Sequence, residues 1–117
     1  MPSRLITPPD LIPGPNSVLI INAIDDEIEN LVAWLKTSNV EYDIHLYHCE
    51  MNDHDDWIID YSQQAPVIII SVKYQQFVPD PVKVTLQQRH EHVKLYGPDT
   101  EFNQPVDVLM HLHDQEA

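Results

Sequence analysis

Cysteine is nearly missing from this sequence: Cys49 stands alone among 117 residues. One thiol cannot close an internal disulfide, so a disulfide-stapled scaffold and dithiol chemistry within the chain are both excluded. Glycine is almost as scarce. Gly14 and Gly97 are the only two, too few for a glycine-rich loop that cradles phosphates. Bases are also few, with six Lys and Arg against nineteen Asp and Glu, a formal charge of −13 with His neutral. Binding DNA, RNA or anionic lipid requires Lys and Arg to replace counterions, so a chain of this balance is repelled by all three. No apolar run approaches the length of about 18 residues that a membrane span needs. Met1-Pro2-Ser3-Arg4-Leu5 lacks the apolar segment and cleavage site of a signal peptide. The expected location is the cytoplasm, or a particle such as a virion packaged from it. Ser62 and Ser71 have no nucleophile-elbow motif around them.

What is present describes one globular domain, with 43% hydrophobic residues to build its core. Residues 1–16 contain five prolines, which fix φ and remove backbone donors, so this arm is expected to be extended and free of helix. Residues 17–117 form the domain. Val18-Leu19-Ile20-Ile21 and Val67-Ile68-Ile69-Ile70 are continuous apolar runs, the pattern of central strands covered on both faces. Between them, Asp25 to Thr37 reads as a helix, with Ile28, Leu31, Val32 and Leu35 on one stripe. Asn22 or Asp25 is its expected cap, and Asp26, Glu27 and Glu29 meet its positive end. Val40 to Tyr47 alternates as a half-buried strand, and Asp53 to Tyr61 reads as a short helix. Further on, Val82, Val84 and Leu86 alternate as a strand would, and Val93 to Tyr96 reads as a strand before the Gly97-Pro98-Asp99 turn. Pro105 suits the first position of a final helix with Val106, Leu109, Met110 and His113 on one face.

Strand, helix, strand, helix, then Ala65-Pro66 opening an apolar strand is an order that resembles the glutaredoxins. The segment Ser38-Asn39-Val40-Glu41-Tyr42-Asp43 is similar to the helix end and strand opening common in that family. The resemblance covers residues 17–71, about half of the chain, and implies a thioredoxin-like fold: an α/β domain with a mixed sheet flanked by helices. It also implies a cis-proline at Pro66, with Ala65 offering its backbone to an extended peptide; a trans-proline that simply begins a strand is the other reading. Asp25-Asp26-Glu27-Ile28 stands where the family has Cys-x-x-Cys. Carboxylates there cap the helix and carry no thiol chemistry. The expected binding residues are therefore Asp25, Asp26, Ala65 and Pro66, with no catalytic residue and no cofactor.

His48, Cys49 and His54 form the one metal-like cluster, among the acids Glu50, Asp53, Asp55 and Asp56. It has no Cys-x₂-Cys or His-x₃-His pair and no EF-hand spacing, so an acidic solvated loop is the plainer reading. His90 with His92, and His111 with His113, stand two apart, a spacing that shares a face on a strand but not on a helix. The seven histidines gain charge as pH falls, partly offsetting the acidity. The functional expectation is a redox-inactive, non-catalytic protein that binds other proteins, basic ones or its own copies. Such a chain suits a subunit or accessory factor of a larger assembly, in the style of small bacteriophage proteins. The alternatives are an acidic decoy for a basic nucleic-acid-binding protein, and a thiol or metal enzyme built on Cys49.

Overall fold

The computed structural model describes residues 4–6, 14–48, 56–73, 75–78 and 80–116. Among these residues five strands form one sheet: β1 (Arg4–Ile6), β2 (Ser17–Ile21), β3 (Asp43–Tyr47), β4 (Val67–Ser71) and β5 (Val93–Tyr96). Their order is β1-β3-β2-β4-β5, and every neighbouring pair is parallel. Four α-helices accompany them among the described residues: α1 (Asp25–Thr37), α2 (Asp56–Gln64), α3 (Asp80–Gln88) and α4 (Pro105–Glu116), with short 3₁₀ helices at Gln75–Phe77 and His90–His92. Among the described residues no helix is long and apolar enough to cross a membrane.

The two continuous apolar runs become β2 and β4, side by side at the centre of the sheet. Successive side chains on a strand point to opposite faces, so an unbroken apolar run needs a cover on each side. Val18, Ile20 and Ile69 pack with Leu31 of α1 and Val108 and Leu109 of α4. Leu19, Ile21, Ile68 and Ile70 pack on the other face with Ile58 and Tyr61 of α2 and Val82 of α3. Full burial of each such Leu or Ile contributes about 1.5–3 kcal/mol, which makes this central pair the main source of stability. On the second face His45 of β3 is also buried, its ring edge-on to that of Tyr61 with centroids 4.2 Å apart.

The α/β class and the sheet flanked by helices are as the sequence indicates, but the sheet is all parallel and not mixed. The reason lies in residues 80–88. Their alternation of Val82, Val84 and Leu86 suggests a strand, yet they form α3, with Val82 and Thr85 buried and Leu86 half-buried at helical spacing. Val84, the residue that completes the strand-like alternation, is left 52% exposed. Asp80 and Pro81 occupy the first turn, where an acid and a proline are both favoured. With α3 as a helical crossover, the chain re-enters the sheet at the same end each time, and β5 lies parallel to β4.

Smaller corrections follow from the same packing. β3 begins at Asp43, while Val40 is buried in the preceding loop. α2 (Asp56–Gln64) continues past Tyr61, its expected end, while its expected start at Asp53 lies outside the described residues. The N-cap of α1 is Ile24, and Asn22 instead ends β2 in a left-handed conformation (φ 60°). In α4 the buried face is Val106, Val108 and Leu109, and Met110 is exposed. Within the proline-rich arm, Arg4–Ile6 pairs with β3 as an edge strand.

Candidate functional site

A parallel doubly wound sheet has a crevice where its connections leave for opposite faces, beyond the carboxyl ends of adjacent strands. Here that point lies between β2, which leads to α1 on one face, and β4, which leads to α3 on the other. Asp25 and Asp26 stand there, exposed in the first turn of α1. The side chain that faces inward is the next one, Glu27. Its Oε1 accepts the Ile24 N–H and the Tyr96 hydroxyl, each at 3.0 Å. The positive end of α1 is therefore already met by a carboxylate of the same chain, held from two elements. Asn22 and Ser71 flank this point and are buried. The Asn22 N–H donates to the Tyr47 carbonyl at 2.7 Å, and Ser71 Oγ accepts the Lys73 N–H at 3.2 Å. Gly97 closes the far side at φ 121°, where a Cβ would meet Val72 Cγ2 at 3.0 Å.

Ala65 and Pro66 are at the other end of the sheet. They lead into β4, whereas Asp25 and Asp26 follow β2, and the two strands are parallel. Five-residue strands separate the two sets by about 16 Å, so the expected four-residue site is not assembled. No cis peptide bond occurs among the described residues, so Pro66 is trans. Ala65 is fully buried, and its N–H donates to the Tyr61 carbonyl at 2.8 Å. The Pro66 carbonyl lies 3.1 Å from Nδ1 of His92. β4 has a neighbour on each side, which leaves no edge there for a peptide.

Of the metal-like cluster, His48 is exposed at the end of β3, while Cys49 and His54 lie outside the described residues, as do Glu50, Asp53 and Asp55. Among the described residues no three His, Cys, Asp or Glu side chains are grouped to hold a metal ion. The paired histidines are engaged in other ways. His111 packs against Phe102 with centroids 5.3 Å apart, and His113 meets Trp34 edge-on at 6.3 Å.

The feature that sequence reasoning missed is a groove of about 590 Å³ along β5. Its floor is Ile70 of β4 and Val72 just past its end, with Val93 and Leu95 of β5. Its wall is Lys83, Leu86 and Gln87, at i, i+3 and i+4 on one stripe of α3, followed by His90 beyond the helix end. α3 is only nine residues long and leaves the outer strand partly uncovered, with Leu95 38% exposed. β5 is also the end of the sheet, and no described strand pairs with its outer side. The Tyr96 carbonyl accepts the Val72 N–H and so points inward to the β4 side. Backbone groups alternate along a strand, which turns the N–H and C=O of Leu95 and the C=O of Val93 outward. The Val93 N–H is taken by the His90 carbonyl. The stripe becomes visible in the sequence only once residues 80–88 are read as a helix.

Charge is distributed unevenly along the sequence, and among the described residues Lys83 is the one Lys or Arg that lines the groove, with no acid beside it in the lining. Residues 73–94 hold four of the six bases (Lys73, Lys83, Arg89 and Lys94) and two of the nineteen acids (Asp80 and Glu91), a formal +2 against −15 for the remainder. Arg89 donates to the Ser62 carbonyl and ties α3 to the end of α2. Lys83 has only a loose contact with exposed Asp80 at 3.9 Å, which adds little. Comparison with known proteins finds no matching family model, no matching curated protein and no matching solved structure.

Proposed function

We propose that this chain works by binding another protein, without catalysis, as a small subunit or accessory factor of a larger assembly. The observation that carries this reading is the β5 edge, unpaired on its outer side among the described residues, where outward backbone groups of Leu95 and Val93 border an apolar groove. A strand edge of this kind is a template for pairing with a further chain. The polar groups at the carboxyl end of β2 support a non-catalytic role, because Glu27 and Tyr96 are satisfied by each other. A thioredoxin-like ancestry is not required for this reading, since the edge at β5 supplies the contact surface.

The acidic-decoy reading has its own support in exposed Asp25, Asp26 and Glu29 on α1. The two readings part in one experiment: affinity capture from the native source at low and high salt, with wild type, Leu95→Pro and an Asp25→Asn/Asp26→Asn variant. Leu95→Pro removes an outward N–H without touching the β4 pairing. The expected result is a partner that survives high salt, is lost with Leu95→Pro, and is kept by the α1 variant. A partner that leaves at high salt and needs Asp25 and Asp26, but not Leu95, would establish the decoy instead.

A further inference from the structure

Resting on the reading that the chain binds a protein, we infer that β5 takes up an extended acidic segment of the partner as a sixth strand, with an apolar residue at its centre. Three observations meet here. The outward N–H and C=O of Leu95 and the C=O of Val93 supply the ladder for an added strand. Every second side chain of that strand falls under α3, in the groove floored by Val93 and Leu95. The groove wall then sets the pattern: Leu86 and Gln87 stand between Lys83 at one end and His90 at the other.

Dimensions make this pattern specific. Lys83 lies within α3, and His90 lies two residues beyond the end of that helix, and both line the groove. Same-face positions of a strand repeat every 7 Å or so, hence positions i and i+4 span about 13 Å. An acid, an apolar residue and an acid at i, i+2 and i+4 then set the apolar residue beside Leu86, and the flexible stem of Lys83 adjusts its reach to the nearer acid. Charge favours the same occupant. The groove's described lining includes Lys83 and no acid, while the residues outside 73–94 carry a formal −15 that repels an acidic chain. Screening within about 8 Å at physiological salt lets the groove's own groups decide at contact. A second copy entering by its own β5 edge would bring Lys83 and His90 to a groove that already has them.

The test uses the full chain, ¹⁵N-labelled, titrated with two short synthetic peptides. One carries glutamate, threonine, valine, threonine and glutamate in order, and the other has lysines in place of the glutamates. The acidic peptide is expected to shift the amides of Val93–Gly97 and of Lys83–His90, and to bind about tenfold more tightly than its lysine counterpart. Lys83→Glu is expected to erase that preference. Equal binding of the two peptides, shifts confined to other elements, or no shift at about 2 mM peptide overturns the acidic-strand assignment. Concentration-dependent dimers abolished by Leu95→Pro overturn it in favour of a second copy. If neither peptide binds but native capture still depends on Leu95, the partner chemistry is wrong and the protein-binding reading stands. Loss of both results removes both.

Discussion

The carboxyl end of β2 and the outer side of β5 are two places where a sheet of this kind can meet a ligand, and they are in opposite states. At β2 the helix end, the carboxylate and a buried hydroxyl are joined within the chain: Glu27 accepts from Ile24 and from Tyr96. At β5 the corresponding valences are outward, and apolar side chains lie beside them half-covered. The first region draws attention in the sequence because its residues are chemically conspicuous. The second is built from Val, Leu, Gln and Lys, and becomes a surface only through its position at the sheet's edge.

The comparison can be broken by mutation. The largest effect is expected in the core that both regions share: Ile69→Ala leaves a cavity between β2, β5 and α4 and should cost about 2–5 kcal/mol in denaturant unfolding. Leu95→Ala at the edge should stay within about 1 kcal/mol of wild type in the same assay. Comparable losses at the two positions would mean that β5 is packed as tightly as the centre. Tyr96→Phe removes the hydroxyl that holds Glu27 and should cost about 1 kcal/mol, with native-partner capture unchanged. A loss of capture without loss of stability would instead make the β2 end the binding site.

The smallest effect is a pH dependence. Burial raises the Tyr61 phenol above its ordinary value, the nearby Asp43 charge adds to this, and a hydrogen bond with Ser17 opposes it. A group whose folded value is raised contributes stability that is full below its ordinary value and is lost as pH rises through the folded one. Wild type should therefore lose stability on the alkaline side of the ordinary tyrosine range, and Tyr61→Phe should flatten that loss. An unchanged alkaline slope in the variant would show that Tyr61 is not its source.

Much of the fold was legible because its strongest elements are written locally. Four consecutive apolar residues at 18–21 and again at 67–70 require cover on two faces, and the stripe through Leu31 marks the helix that supplies one. Residues 82–86 misled because Val82, Val84 and Leu86 satisfy the strand period, while the buried helical position is Thr85, a polar residue. Its hydroxyl donates to the Pro81 carbonyl and so needs no water. Losing α3 also loses the direction of β5, since only a crossover of sufficient length returns the chain parallel. The candidate site failed in the sequence for a related reason. Asp25 and Ala65 belong to opposite ends of parallel strands, and whether β5 is an edge depends on strand order, which no local pattern records.

The most direct measurement is amide hydrogen exchange of Val93–Tyr96 in the free chain and in complex with the partner recovered by capture. In the free chain the Leu95 amide should exchange fast while the Tyr96 amide, turned toward β4, is protected; in the complex Leu95 should become slow with Asp25–Ile28 unchanged. Protection that instead appears at Asp25–Ile28, with Leu95 still fast in the complex, would contradict the assignment of the β5 edge as the binding surface.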